Sequence, residues 1–262
     1  MDEIKVIVCG ARGRMGQEVV SMILKEKGWQ LIGAVESPAH PEIGVEICKG
    51  LRVTSSLQDV LKKDAVIIEF TTPLATLEHV RVARENHIPC VIGTTGFKNS
   101  EIEEIKKASC SIPILLSPNM GRGINLLFAL VEKIARILPD FDKEIVEAHH
   151  NLKKDAPSGT AYRIAQILAE VEGKDLSQLA VHGRKGMVGR RKRNEIGIHS
   201  IRGGSIVGDH TVIFAGEGER LEITHRAESR KIFARGALLA AKFIADKEPG
   251  LYDLQDALGI KK

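Results

Sequence analysis

The stretch that decides the fold is the glycine-rich segment after a short run of β-branched residues, Ile4–Cys9. In order it reads Gly10, Ala11, Arg12, Gly13, Arg14, Met15 and Gly16. From Met15 onward, apolar residues recur at helical spacing, so the segment joins a predicted strand to a predicted helix. Glycine at such a junction permits a tight turn, close approach of the backbone to pyrophosphate, and close helix–strand packing. The segment therefore predicts a Rossmann-type, dinucleotide-binding domain with the phosphates at a helix N-terminus.

An acidic residue, Glu36, directly follows the second predicted strand, Leu31–Val35. The dinucleotide-binding motif has an acidic residue at this place, after its second strand. The carboxylate of Glu36 can accept hydrogen bonds from the adenosine ribose hydroxyls and would repel the additional phosphate of NADPH. We therefore expect NADH to be favoured and NADPH also to be used. Arg12 and Arg14 are the nearby arginines that could reach that phosphate. The alternative without function is a glycine-rich turn beside a surface glutamate.

Buried strands and amphipathic helices alternate through the first half of the chain. Predicted strands at Ala65–Phe70, Ile88–Ile92 and Ile112–Leu116 are separated by helices, one of which begins with the N-cap pair Thr72-Pro73. A capping-box pattern predicts another short helix from Ser56. Such alternation is typical of a parallel sheet covered on both faces.

The rhythm changes after Asn119. Helices are predicted at Ile124–Leu138, Gly159–Glu172 and Ser229–Ala245, the last of them near the C-terminus. A strand is predicted at Glu144–Ala148, and a hairpin is predicted from His210–Ala215 and Leu221–Thr224. The Gly- and Arg-rich stretch 181–204 is expected to be a loop. The fold class is therefore α/β: a Rossmann-type parallel-sheet domain (1–121, completed by 231–262) plus an α+β domain with an antiparallel or mixed sheet (122–230), for substrate binding and oligomerisation.

Two adjacent histidines, His149 and His150, end a predicted strand, and Lys153 follows closely. A histidine can hold or supply a proton near neutral pH, and the lysine can supply positive charge or a proton. Gly159 and Thr160 lie in the first turn of the next helix, where backbone N–H groups can bind a carboxylate. A partly buried histidine pair, a solvated lysine and an ordinary helix start are the alternatives. No third ligand follows at metal spacing, so no metal is expected.

Composition narrows the function classes. The chain is 43% hydrophobic and 27% charged, with a net charge of +4, which is ordinary for a globular protein. Its four cysteines lie far apart and indicate neither a zinc site nor a disulfide framework. No apolar stretch is long enough for a membrane span, so we expect a cytoplasmic protein. The basic segment Arg184–Arg202 contains no aromatic residue and lies in no nucleic-acid fold signature, so a solvated loop is favoured over a nucleic-acid patch.

With these motifs identified, the chain resembles the 4-hydroxy-tetrahydrodipicolinate reductase family over nearly its whole length. The pattern H-H-x-x-K-x-D-A-P-S-G-T-A from His149 is close to diagnostic of that family. The other matching blocks are Gly10–Gly16, Phe70–Pro73, Gly93–Phe97, Pro118–Asn125, Gly203–Thr211 and Phe214–Arg230.

The resemblance implies hydride transfer from NADH or NADPH to a cyclic, imine-like dicarboxylate after loss of its 4-hydroxyl as water, in lysine and diaminopimelate biosynthesis. It implies that His149 is the acid/base residue and Lys153 the proton donor. The implied substrate contacts are His150, Gly159, Thr160 and Arg230. The implied nicotinamide loops comprise Gly93, Thr94, Thr95, Ser117, Pro118, Asn119 and Met120. The family is also expected to form homotetramers through the second domain's sheets.

Two other classes of protein stay open at this point. A dehydrogenase of an amino or keto dicarboxylate would share the dinucleotide half but has no need of His149, Lys153 and the Ser-Gly-Thr helix start. A nicotinamide-sensing regulator would need a DNA-binding element, which the sequence does not reveal. Replacement of Lys153 separates them, because only the reductase would lose turnover while it still binds NADH.

Overall fold

The structure, a computed structural model, describes residues 3–261. The strands are β1 (Ile4–Cys9), β2 (Trp29–Val35), β3 (Glu46–Cys48), β4 (Leu51–Arg52), β5 (Ala65–Glu69), β6 (Cys90–Ile92), β7 (Pro113–Leu116), β8 (Asp142–His149), β9 (Ala180–His182), β10 (Ile196–Arg202), β11 (Gly208–Ala215), β12 (Arg220–Ala227) and β13 (Gly250–Tyr252). The α-helices are α1 (Arg14–Ile23), α2 (Pro73–Glu85), α3 (Asn99–Ser109), α4 (Arg122–Ile137), α5 (Gly159–Val171), α6 (Leu176–Leu179), α7 (Lys231–Ile244) and α8 (Leu254–Ala257).

One compact unit comprises the described residues up to Arg122 and from Arg230 onward. Its parallel sheet has six strands in the order β13-β7-β6-β5-β1-β2. Successive β1 side chains point to opposite faces, so Val6 and Val8 pack with α1 and α7 while Ile7 and Cys9 pack with α2 and α3. The predicted parallel sheet with helices on both faces is confirmed.

The second compact unit is Gly123–Ser229. Its five strands have the order β12-β11-β8-β10-β9, and β8 runs parallel to β10 but antiparallel to β11. Ile145 and Val212 face α4 and α5 in one core cluster. The sheet is therefore mixed, which agrees with the predicted α+β architecture.

Two local predictions need correction, and one strand was not predicted. The stretch 181–204 is not a loop throughout, because β10 occupies a place inside the sheet between β8 and β9. The hydroxyl of Ser56 does accept the N–H of Asp59 at 3.3 Å, as in a capping box, but the helix that follows is only a three-residue 3₁₀ helix, Gln58–Val60. The C-terminal tail contributes β13, an edge strand beside β7. In contrast, the Thr72-Pro73 helix start is confirmed, with Thr72 accepting the N–H of Ala75.

Within residues 3–261 no helix is both long and apolar enough to cross a membrane.

Candidate functional site

The glycine-rich turn lies between β1 and α1 at the carboxyl edge of the parallel sheet. Gly10 has φ +76°, and a Cβ there would lie 2.3 Å from the carbonyl oxygen of Phe70. At Gly16 a Cβ would lie 1.9 Å from the carbonyl oxygen of Gly10. Both contacts are with backbone atoms, so only glycine permits this turn, and the N-terminus of α1 is left open to an anion. These residues fit the phosphates of a dinucleotide.

Glu36 is held beside this turn by backbone donors. Its Oε1 accepts hydrogen bonds from the N–H groups of Arg12 at 2.7 Å and Gly13 at 3.1 Å, and its Oε2 accepts from Ser37 at 3.2 Å. The carboxylate is therefore fixed at the carboxyl end of β2. The guanidinium of Arg12 pairs with Glu42, whereas Arg14 is exposed.

The loops after β6 and β7 lie at the same edge of the sheet, where parallel α/β folds bind their ligands. A Cβ on Gly93 would lie 2.2 Å from the ring of Phe70. Thr94 Oγ1 accepts from the N–H of Thr71 at 3.0 Å, and Ser117 Oγ donates to the carbonyl of Asn119 at 2.8 Å. The remaining predicted members differ in exposure: Thr95 and Pro118 are exposed and Met120 is buried.

A buried network of polar side chains lies next to these loops. Glu69, at the end of β5, is 1% exposed, and its Oε2 contacts Nδ1 of His79 at 2.8 Å. Its other oxygen accepts a hydrogen bond from the hydroxyl of Thr71. Thr76 Oγ1 in turn donates to Thr94 Oγ1 at 2.9 Å. The network therefore connects the ends of β5 and β6 through side-chain hydrogen bonds.

Cys9, Glu69 and His79 are also the one group in residues 3–261 whose donor atoms lie close enough together to share a metal ion. Glu69 and His79 already satisfy each other, and burial together with the charge of Glu69 raises the pKa of the Cys9 thiol. In this structure the group is a buried ion pair of Glu69 and His79 with a neighbouring thiol.

The Glu69–His79 pair predicts a pH dependence of stability. Burial would lower the pKa of His79, but the hydrogen bond and charge of Glu69 outweigh it and raise the pKa above 6.5. Charged His79 therefore stabilises the fold fully below pH 6.5, and this contribution is lost as pH rises through the raised pKa. We expect His79→Gln to weaken that dependence in thermal unfolding, and replacement of the exposed His182 to leave it unchanged. Identical pH profiles for parent and His79→Gln would contradict the assignment.

In the second unit, His149 at the end of β8 is held by a buried carboxylate. Its Nδ1 lies 2.5 Å from Oε2 of Glu147, which is two residues earlier on the same strand and is fully buried. Arg202, at the end of β10, binds both oxygens of Glu147 at 2.9 and 2.8 Å. The N–H of Ser158, the N-cap of α5, adds a bond of 3.2 Å to Oε1.

The protonation states follow from these contacts. Burial would raise the pKa of Glu147, but the hydrogen bonds from Arg202 outweigh it and lower the pKa to about 2. Glu147 is therefore an ionised acceptor, so Nδ1 of His149 must carry the proton they share. Burial lowers the pKa of His149, and the charges of Lys153 and Arg202 add to this effect against the opposing effect of Glu147. His149 is consequently neutral near pH 7, with the lone pair on Nε2.

The structure gathers most of the sequence-predicted catalytic segment around this pair. The N–H of Lys153 donates to the carbonyl of His150 at 3.2 Å, and its ammonium donates to Asp155 at 2.9 Å. Gly159 and Thr160 form the first turn of α5, directly after Ser158. Arg230 is exposed and belongs to the first compact unit as the N-cap of α7.

The basic segment proves largely structural. Arg184 pairs with Glu144 at 2.8 Å and with Glu195 at 2.5 Å, and Arg191 pairs with Asp142 at 2.6 Å. The pairs with Glu144 and Asp142 fasten the segment to β8, whereas Glu195 belongs to the segment itself. Apart from Arg202, which pairs with Glu147, the remaining basic side chains are exposed: Lys185, Arg190, Lys192 and Arg193.

Sequence reasoning assigned no role to Glu147, Arg202, Ser158 or His210. Ser158 Oγ lies 3.1 Å from Nε2 of His210, whose ring meets that of His149 edge-on at 5.2 Å. The period of two along a strand does place Glu147 and His149 on one face, so that carboxylate could have been found. The pairing of Arg202 required knowledge of β10.

Comparison with known proteins extends these observations. Family models described as dihydrodipicolinate reductase, N-terminus and C-terminus, match residues 4–120 and 123–258. The 4-hydroxy-tetrahydrodipicolinate reductase of Aquifex aeolicus is 49% identical, over 98% of this chain and 99% of that protein. The corresponding protein of Syntrophus aciditrophicus is 46% identical, over 98% and 99%. A solved dipicolinate-bound dihydrodipicolinate reductase from Paenisporosarcina sp. TG-14 has a TM-score of 0.79 and 25% identity, over 96% of this chain and 97% of that one.

Proposed function

The chain belongs to the dihydrodipicolinate reductase family, and from this we propose that it reduces the dehydrated form of 4-hydroxy-tetrahydrodipicolinate to tetrahydrodipicolinate with a hydride that bound NAD(P)H supplies. Full-length identity of 46–49% to reductases of that name supports the proposal. The structural observation that carries it is the Glu147–His149–Lys153 arrangement beside the N-terminus of α5, because a dinucleotide sensor has no need of it. The family match likewise sets aside the other dehydrogenases.

The residues of the second unit suit a dianionic substrate that must gain a proton. The first turn of α5 offers the N–H groups of Gly159 and Thr160 to a carboxylate. Neutral His149 is an acceptor at Nε2, whereas Lys153 is a cation with protons to give. We therefore assign proton donation to Lys153, with His149 as its acid/base partner. His150 and, by the family resemblance, Arg230 of the first compact unit are the other proposed substrate contacts.

In the first unit, we propose that Gly10–Gly16 and Glu36 bind the phosphates and adenosine ribose of the dinucleotide. The loops of Gly93–Thr95 and Ser117–Met120 would hold its nicotinamide end. What supports this assignment is their shared position at the carboxyl edge of the parallel sheet and the backbone contacts that require glycine.

The reaction is tested by following NADH absorbance while dihydrodipicolinate synthase generates the substrate in the same cuvette. We expect rapid oxidation that depends on the synthase, and a second series with NADPH ranks the two cofactors. A protein that binds NADH but oxidises neither cofactor would contradict the proposal.

For cofactor choice we propose a preference for NADH, since Glu36 directly follows β2, where this fold binds the adenosine ribose, and a carboxylate there would repel a 2′-phosphate. Glu36→Arg is expected to shift the ratio of kcat/KM for NADPH over NADH upward by at least about tenfold, because a like-charge contact becomes an attractive one. Glu36→Gln, which removes only the charge, should lie between. An unchanged ratio in both variants would show that Glu36 does not contact the ribose.

We also propose a cytoplasmic homotetramer assembled through the mixed sheet. The face of that sheet away from α4 and α5 carries Val146, Ile201 and Ile213, which are half-buried or exposed. Free cysteines favour a reducing compartment. Light scattering in solution tests the assembly, and a monomer at micromolar concentration would reject it.

A further inference from the structure

We propose that Glu147 and Arg202 form a positioning pair that fixes His149 as the Nδ1–H tautomer with Nε2 toward the substrate. The inference rests on the proposed function and concerns residues to which the family resemblance gave no role. Neither residue needs to touch substrate, because both act through the orientation and charge of His149.

The geometry leaves His149 few alternatives. Its Nδ1 is committed to Glu147 at 2.5 Å, and the ring of His210 stands against it edge-on. A Cβ on Gly208 would lie 3.1 Å from Nε2, so glycine keeps the space beside that atom clear. Rotation of the ring would therefore exchange a charge-assisted hydrogen bond for contacts with His210.

The carboxylate of Glu147, which orients His149, is itself held by several hydrogen bonds. It receives the forked guanidinium of Arg202 and the N–H of Ser158. Arg202 also donates to the carbonyl of Asp155 at 2.7 Å, so the same side chain ties the carboxylate to the Lys153 loop. A bidentate bond of this kind sets direction as well as charge.

The charged and titratable groups around His149 act in opposite directions. Glu147 on its own strand raises the pKa of His149, whereas Lys153 in the following loop and Arg202 on β10 lower it. His210 on β11 stays neutral, because burial and the neighbouring His149 lower its pKa to about 3. Removal of Glu147 should therefore lower the pKa of His149, whereas removal of Arg202 should raise it.

The experiment titrates ¹⁵N-histidine-labelled protein by NMR, which reads the tautomer and pKa of His149 without turnover. Glu147→Gln should abolish the strongly hydrogen-bonded Nδ1 proton, lower the pKa of His149 by about one pH unit or more, and reduce kcat at least about tenfold with little change in KM. Arg202→Met should shift the pKa of His149 upward. A purely structural role would not produce opposite shifts.

Glu144→Gln is the matched control. Glu144 lies on the same strand, is paired with Arg184 and Arg191, and contacts His199 instead of His149. Its loss should cost stability and leave the His149 signals in place. If Glu147→Gln keeps the tautomer and pH profile of the parent, or if both variants shift the pKa in one direction, the positioning role is wrong. Either result leaves the reductase assignment untouched, since the cuvette assay tests that separately.

Discussion

Lys153→Met is expected to lower kcat by about 10²–10⁴-fold, the usual contribution of a positioned proton donor, while the dissociation constant for NADH stays unchanged. His149 is neutral and its Nδ1–H is committed to Glu147. Arg202 holds the same carboxylate with both arms and cannot release a proton near neutral pH. Lys153 is thus the cation of this cluster that can donate, and methionine keeps its length without its charge.

Lys154→Met provides the control, because Lys154 is adjacent and exposed. It removes the same charge from the same loop, so a general electrostatic effect would appear in both variants. Stopped-flow turnover and calorimetric NADH titration distinguish the outcomes. Near-normal turnover of Lys153→Met, or equal losses in the two variants, would place the proton donor elsewhere.

Features that depend on consecutive residues could be predicted from the sequence. The turn at Gly10 to Gly16 is such a feature, since a Cβ on Gly16 would meet the carbonyl oxygen of Gly10 within the same turn. The helix start at Thr72-Pro73 is another, because an N-cap oxygen and a proline at the first position act locally. The alternation of strands and helices likewise sufficed for the architecture of the first unit.

Contacts between distant strands could not be predicted in the same way. Arg202 reaches Glu147 across 55 residues of sequence, and it does so only because β10 lies beside β8. Because the sequence did not predict β10, Arg202 was interpreted only as one of the charged residues of a basic loop. The Glu69–His79 pair combines a strand end with a helix face, so neither local period indicates it. The site's supporting residues are thus products of topology, while its central histidine and lysine are marked by their motif.

The second large effect is expected at Gly16, where alanine should raise the dissociation constant for NADH by about 10- to 100-fold. Overpacking of a tight site costs about 1–3 kcal/mol, and each 1.4 kcal/mol is about tenfold in affinity. The new Cβ would lie 1.9 Å from the Gly10 carbonyl oxygen and 2.8 Å from Cα of Ala11. Both are backbone atoms, so relief requires the turn itself to open, and the N-terminus of α1 then moves from the phosphates.

Gly13→Ala in the same turn measures how much of this loss comes from the turn's closure. Gly13 has an ordinary φ of −69°, and its Cβ would meet only the Gly10 carbonyl oxygen, at 3.2 Å. A small shift accommodates that contact, so its effect on NADH affinity should be several-fold smaller. The affinity for NADH is measured by titration calorimetry, well below the unfolding temperature of each variant, so that a loss of affinity is not confused with unfolding. If Gly16→Ala binds NADH as the parent does, the pyrophosphate is not bound at this turn; if Gly13→Ala proves the worse variant, close backbone approach to the phosphates outweighs helix packing in this loop.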